Sequence, residues 1–242
     1  MSGKPDNAAQ IVGIRSRRGY TPARMTELPL QIFSFQLGPA STNAYLVGEP
    51  ASKTAVVIDP AWDGERILAK AKSVGWRITN LWLTHAHFDH FGGAAALADG
   101  IDPAPPVALH PADHPLWRLH GGAAAFGIHG FDPGPEPTIP LEHGMQLRLG
   151  EHTFEVRHTP GHTPGHVSFL LREGGIQFCG DLIFMGSVGR TDFPGGDMQV
   201  LLNSIRQEVL SLPDEVRLLS GHGPETTVGR ERRSNPFLTG LS

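Results

Sequence analysis

The sequence predicts a mixed α/β protein in which two β-rich halves, each covered by helices, pack sheet against sheet. Three observations carry this expectation. Short runs rich in β-branched and aromatic residues dominate from Leu28 onward. Helical stretches fall between groups of these runs, in the order strands, helix, strand, helix, then strands, helix, strand. No repeat of about 20–50 residues and no low-complexity block points to a solenoid or a disordered tract.

Each element has its own signal. Gln31 to Phe35, Ala44 to Val47 and Thr54 to Ile58 are bounded by Gly, Pro and Asn and read as strands. Glu65 to Val74 reads as an amphipathic helix, with Ile67, Leu68, Ala71 and Val74 on one side. Asn80 to Leu83 is a short apolar strand, Gly92 to Ala98 a helix, and Val107 to Leu109 another strand. Residues 111–138 are rich in Pro, Gly and Ala and form a long irregular insertion. It is either a lid or binding loop, or a variable surface excursion pinned by Trp117, Phe126 and Phe131. Met145 to Leu149, His152 to His158, Ser168 to Leu171 and Ile176 to Cys179 are further strands. Asp197 caps a helix running to about Leu210, and Val216 to Ser220 is the last strand.

Residues 1–27 lack a hydrophobic period and read as a poorly ordered N-terminal extension; their five basic residues are too spread out to suggest an anchoring arm. The chain has 242 residues, enough for a substantial core, and a net charge of −4, which disfavours a broad nucleic-acid-binding surface. One cysteine, Cys179, excludes an intramolecular disulfide and fits a reducing compartment. Met1 to Gln10 lacks the apolar stretch of a leader, and no run approaches a membrane span, so a cytoplasmic location without membrane partners is expected.

The chemistry lies in the histidines, of which there are 13 against 2 tyrosines. Thr84-His85-Ala86-His87-Phe88-Asp89-His90 places four metal-capable side chains directly after a strand. In an extended segment His85 and His87 project to the same side and can share a cation. Where the chain turns, Asp89 and His90 can swing toward a second position. Imidazole and carboxylate suit zinc, iron or manganese. Four ligands cannot close two sites, and three more candidates stand in or just beyond strand ends beside glycine: His162 after Gly161, Asp181 after Gly180, and His222 between Gly221 and Gly223. His110, His114, His120, His129, His143, His152, His158 and His166 match no ligand position and are expected on the surface or as hydrogen-bonded core residues. Cys179 is expected as a small buried apolar residue. There is no Gly-X-Ser-X-Gly, Walker-type or Gly-X-Gly-X-X-Gly motif. A pair of cations lowers the pKa of bound water from 15.7 to about 7 and polarises a carbonyl, so no side-chain nucleophile is needed.

His-X-His-X-Asp-His, a later His, a later Asp and a final His, in that order, resemble the ligand motifs of the metallo-β-lactamase superfamily. The resemblance runs from about residue 30 to the end. It implies an αββα sandwich, a single hydrolase domain over 28–242, and two divalent cations, zinc foremost with iron or manganese as alternatives. It further implies that His85, His87 and His162 hold one cation, that Asp89, His90 and His222 hold the other, and that Asp181 bridges them. Asp89 and Asp181 then also serve catalysis around a metal-bound hydroxide.

Gly180-Asp181-Leu182-Ile183-Phe184, the segment Gly189-Arg190-Thr191-Asp192-Phe193-Pro194-Gly195-Gly196-Asp197 and the tail from Gly221 to Leu238 are similar to the short bacterial glyoxalase II-like branch. That branch implies a small-molecule thioester substrate, such as the glutathione-derived S-lactoylglutathione. Two departures bear on recognition. The chain has only twenty residues after His222, without the helical region that helps larger glyoxalase II enzymes hold glutathione, and Asp192 stands where those enzymes have tyrosine. Arg190 is expected either to meet a substrate carboxylate or to pair with Asp192 or Asp197. Alternative readings on the same fold are a persulfide dioxygenase using one iron, and a lactonase or other ester hydrolase. Gly223-Pro224 after His222 favours the hydrolase.

Overall fold

A computed structural model describes residues 10–11 and 30–240. Apart from Gln10 and Ile11, the expected extension over 1–27 lies outside the described residues. The first half forms a seven-stranded sheet whose strands lie in chain order: β1 (Gln10–Ile11), β2 (Gln31–Leu37), β3 (Thr42–Glu49), β4 (Thr54–Ile58), β5 (Arg77–Trp82), β6 (Val107–Leu109) and β7 (Ile139–Pro140). The pairings from β1 to β4 are antiparallel and those from β4 to β7 parallel. Helices α1 (Gly64–Ser73), α2 (Phe88–Phe91), α3 (Ala94–Asp99) and α4 (His114–Arg118) belong to this half.

The second half forms a six-stranded sheet in the order β15-β14-β11-β10-β9-β8. Its strands are β8 (Gln146–Leu149), β9 (His152–His158), β10 (Val167–Leu171), β11 (Ile176–Gly180), β14 (Arg217–Ser220) and β15 (Thr226–Thr227). A small hairpin, β12 (Ile183–Phe184) and β13 (Ser187–Val188), precedes helix α5 (Met198–Glu208), and helix α6 (Val228–Ser234) follows the last strand.

Three apolar layers explain why these sequences stack as they do. Along β2 to β4, Phe33, Phe35, Ala44, Leu46, Ala55 and Val57 face one way, toward Ile67 and Ala71 of α1 and Leu97 of α3. The alternate residues Ile32, Tyr45, Val47, Val56 and Ile58 face the second sheet, where they meet Phe154, Val156, Phe169 and Phe178. Strands buried on both faces read as nearly continuous apolar runs, which is the pattern of Thr54 to Ile58. Trp82 anchors this middle layer, with ring centroids 5.2 Å from Phe154 and 5.6 Å from Phe169. A third layer joins the outer face of the second sheet, through Leu170, Cys179 and Leu218, to Leu201, Ile205 and Val209 around α5. The expected αββα sandwich of two mixed sheets is therefore present. Among the described residues no helix is long and apolar enough to cross a membrane.

The segment 111–138 is less irregular than its composition suggests. It opens with a 3-10 turn (Pro111–Asp113), continues into α4, and then forms a kinked 3-10 stretch over His120–Phe126. These turns are too short to show a helical period, and Gly121 and Gly122 at positive φ break them. The helix expected over 92–98 is α3, which starts at Ala94; a separate short helix, α2, precedes it, and Gly92 and Gly93 join the two. A side chain at Gly92 would meet the Trp62 ring at 2.4 Å, and one at Gly93 would meet the Pro60 carbonyl at 2.7 Å, so close packing demands glycine at both.

Candidate metal centre

The topology collects the chemistry at one end of the sandwich. The parallel strands β4, β5 and β6 all end there, and so do β9, β11 and β14. The loop after β5 carries His85, His87, Asp89 and His90; the turns after β9, β11 and β14 carry His162, Asp181 and His222. Backbone hydrogen bonds stitch the two halves at this edge, Val167 N–H to the Thr84 carbonyl at 2.7 Å and Asn43 N–H to the Gly221 carbonyl at 2.7 Å.

All seven sequence-predicted ligand residues meet here. Their donor atoms form three overlapping groups, His85–His87–His162, His85–His90–Asp181 and Asp89–His90–His222, each within 4.8 Å. His162 Nε2 lies 2.8 Å from His87 Nδ1 and 3.2 Å from His85 Nε2. Asp181 reaches across the set, 3.3 Å from His90 Nε2, 3.6 Å from His162 Nε2 and 3.5 Å from His222 Nε2. Asp89 lies 3.4 Å from His222 Nε2 and 3.6 Å from His90 Nε2.

The hydrogen-bond partners behind the rings fix which nitrogens face inward. Asp59 accepts from Thr84 N–H and from the Thr84 hydroxyl, both at 2.7 Å. With its proton committed, the Thr84 oxygen accepts from His85 Nδ1 at 3.0 Å, leaving His85 Nε2 as a bare lone pair. Asp59 also accepts from His90 Nδ1 at 2.9 Å. His162 Nδ1 donates to the Arg190 carbonyl at 2.7 Å, so its Nε2 is also a bare lone pair. Two imidazole lone pairs facing each other at 3.2 Å repel unless a cation sits between them. His90 Nε2 and Asp181 Oδ1 face each other at 3.3 Å in the interior, yet neither makes a well-formed hydrogen bond, which buried polar atoms seldom tolerate. The donor set therefore fits a divalent cation, with the outer partners holding the His85, His90 and His162 rings so that Nε2 faces inward.

Three other supports were not singled out from the sequence. The Thr42 hydroxyl donates to Asp89 at 2.7 Å. Asn43 and Tyr45 donate to the Ser220 carbonyl at 2.9 and 2.7 Å, and Asn43 also reaches the Gly223 carbonyl, which brackets His222. His166, expected only as a surface or hydrogen-bonded core residue, is the latter. Its Nε2 accepts from Asp181 N–H at 3.1 Å and its Nδ1 faces the Thr159 hydroxyl at 2.8 Å, so it holds the backbone of Asp181. Gly221 is required here: a side chain there would fall 2.3 Å from Asp181 Oδ1 and 2.7 Å from His90 Cε1. Cys179 is buried with the sheet–helix core, and burial pushes its thiol pKa up, so it belongs to packing.

Electrostatics divide the rings into two kinds. Burial, reinforced by the neighbouring rings, holds His85 well below the usual histidine range and His87 at about 3. Burial opposes charge on His90 too, but Asp181 and Asp89 outweigh it and raise that pKa well above normal. Against burial, hydrogen bonds to Asp181 and Asp89 raise His222 to about 9. For Asp181 and Asp89, the His90 charge and the His222 hydrogen bond overcome burial and lower both pKa values. Without a cation, His90 and His222 therefore carry protons at pH 7, and a cation must displace them. Metal binding at pH 7 is expected to release protons and to strengthen as pH rises toward 9. Titration calorimetry in buffers of different ionisation enthalpy reads this directly; identical heats across the buffers would contradict it.

At the mouth, Arg190 makes a two-pronged ion pair with Asp192, at 2.7 and 2.6 Å, and its guanidinium lies 3.9 Å over the Phe193 ring. Phe193 lies 5.6 Å from the His87 ring and 5.7 Å from Phe126, and Phe184 lies 5.9 Å from His222. The ion pair to Asp192, one of the arrangements expected for Arg190, is present.

Comparison with known proteins agrees with this geometry. The sequence profile of the metallo-beta-lactamase superfamily matches residues 37–222. The chain belongs to that superfamily. It is 38% identical over 193 residues to a protein named hydroxyacylglutathione hydrolase GloC from Haemophilus influenzae, covering 78% of this chain and 90% of the relative. Among solved structures, TTHA1623 in a di-iron-bound form matches with a TM-score of 0.76 and 47% identity, over 85% of this chain and all of that one. The BLEG-1 B3 metallo-beta-lactamase matches with a TM-score of 0.80 and 39% identity, over 86% of this chain and all of that one.

Proposed function

We propose that the protein is a metallohydrolase that cleaves thioesters, S-lactoylglutathione among them, into a hydroxy acid and a thiol. One observation carries the reading: seven donor side chains from four loops converge on one pocket, where the buried His90 Nε2 and Asp181 Oδ1 lie 3.3 Å apart without a well-formed hydrogen bond to the protein. The resemblance to a hydroxyacylglutathione hydrolase supports the choice of substrate class. His85, His87 and His162 would hold one cation, Asp89, His90 and His222 a second, and Asp181 both. Zinc is the first choice, and the di-iron-bound neighbour keeps iron in view. Residues 28–242 would act as one hydrolase domain, with 1–27 as an extension.

When bound, such cations supply a water of lowered pKa and a Lewis acid for the carbonyl. The side chains do the rest. Asp89, tied back by Thr42, and Asp181, placed by His166, present carboxylate oxygens that hold and orient a water or its conjugate base. Asp59 keeps His85 and His90 in the tautomer that leaves Nε2 inward. A thiolate leaves readily because thiol pKa values lie near 8.5, so a strong proton donor to the leaving group is dispensable.

The test is a panel assayed on metal-analysed protein: S-lactoylglutathione and a neutral thioester, with a lactone, a β-lactam and glutathione persulfide as controls. Zinc- or iron-dependent thiol release from the thioesters is expected. Oxygen uptake with the persulfide and no thioester cleavage would overturn the proposal in favour of a dioxygenase.

The mouth adds a second expectation. Asp192 neutralises the cation that would otherwise meet a glutathione carboxylate. Both partners are more than half exposed, so the pair itself adds little to stability. Asp192→Asn is therefore expected to lower KM for S-lactoylglutathione several-fold, to leave the neutral thioester unchanged, and to shift Tm by less than about 1 °C. Equal effects on both substrates would contradict a charge-based role.

A further inference from the structure

Asp113 lies in the segment 111–138, remote in sequence from every ligand, yet it is fully buried. It has no Lys or Arg partner among the ion pairs of the described residues, and a buried carboxylate without a cation is costly unless hydrogen bonds satisfy it. Three donors do so. Oδ2 accepts from Ala86 N–H at 3.0 Å and from the Thr163 hydroxyl at 2.8 Å, and Oδ1 accepts from Gly165 N–H at 2.6 Å. Ala86 stands between His85 and His87, and Thr163 follows His162. The carboxylate thus clamps together the two loops that supply the three-histidine group.

The fit is close. A side chain at Gly165 would fall 2.7 Å from the Asp113 carboxyl carbon, so the second loop can approach only as glycine. The topology explains the placement: β6 runs parallel to β5, so the chain leaves it at the same edge as the His85–His90 loop and turns through Pro111–Asp113 directly beneath it. Asp59, by contrast, reaches His90 and, through Thr84, His85; it touches neither His87 nor His162.

We propose that Asp113 is a positioning residue that sets the cation affinity of the His85–His87–His162 group while leaving the Asp89–His90–His222 group largely unaffected. The inference rests on the metal-centre reading above. An asparagine cannot replace it, because an amide nitrogen would face either the Gly165 N–H or the Ala86 N–H and Thr163 hydroxyl.

The test measures zinc affinity rather than turnover. Metal-free wild type, Asp113→Asn and the milder Thr163→Val are each titrated with zinc against a chromophoric chelator, and the metal-free Tm is recorded alongside. Asp132→Asn, an exposed carboxylate in the same segment, is the control. Support for an outer-shell ligand partner is typically worth about 10–100-fold in metal affinity. Asp113→Asn is expected to weaken one of two zinc ions by that factor and the other by less than about threefold. Thr163→Val should move the same ion by a smaller factor; should Asp113→Asn fail to fold, this variant carries the test alone. Two unchanged affinities, or two affinities weakened equally alongside the metal-free Tm, would reduce Asp113 to a purely structural residue and overturn the proposal. A wild type that binds no zinc would remove the metal-centre reading itself.

Discussion

Asp181→Ala is expected to remove thioester hydrolysis by at least about a thousandfold and to lower the bound metal. Among the described residues this carboxylate alone lies within 3.6 Å of inward nitrogens on His90, His162 and His222 together, so its loss should disconnect both halves of the centre. Removing a single electrostatic partner of a developing oxyanion costs about 10²–10³ in rate, and losing a shared ligand should exceed that. Asp181→Asn keeps the shape and removes the charge, so it separates coordination from packing. Both variants should fail in hydrolysis while keeping a native circular-dichroism spectrum. Near-normal turnover in either would show that Asp181 does not hold the reacting centre.

Asp59→Ala should have the largest effect on stability. Asp59 is 2% exposed and accepts three hydrogen bonds, so its removal strands Thr84 N–H, the Thr84 hydroxyl and His90 Nδ1 in the interior. At about 1–2 kcal/mol for each buried unsatisfied donor, the loss is about 3–6 kcal/mol. For a chain of this length that corresponds to roughly 10 °C in Tm. Metal affinity should fall about 10–100-fold as His85 and His90 lose their orientation. Thermal unfolding of the metal-free variant isolates the first effect and zinc competition the second. A variant with unchanged Tm and unchanged affinity would contradict the hydrogen-bond assignment.

These two residues also mark what the sequence makes legible. Asp181 can be found because it stands just past a strand, beside Gly180, in a chain already carrying the dense His85–His90 cluster. Asp59 cannot. It is one aspartate between Ile58 and Pro60, and its partners Thr84 and His90 lie 25 and 31 residues further on. Only the parallel pairing of β4 with β5 brings their ends together. Asp113 is hidden for the same reason, since its partners come from loops on either side of it in the chain. The sandwich itself was legible because strands buried on both faces leave apolar runs, and because Ile67, Leu68 and Ala71 mark α1 by spacing. Helix α6 was not: Val228–Ser234 is mostly Arg, Glu, Gly and Ser and offers no apolar stripe, and Thr227 reveals itself as its cap only through a 3.2 Å bond from Arg230 N–H. The strands β12 and β13 are two residues each, too short for any period. Arg190 shows the converse: its ion-pair partner was visible two residues away, and local chemistry decided its geometry.

The most direct measurement is anomalous diffraction at the zinc edge from crystals of the metal-loaded protein. Two peaks are expected, one enclosed by His85, His87 and His162 and one by Asp89, His90 and His222, with Asp181 between them. A pocket without density, or cations bound elsewhere on the chain, would contradict the account.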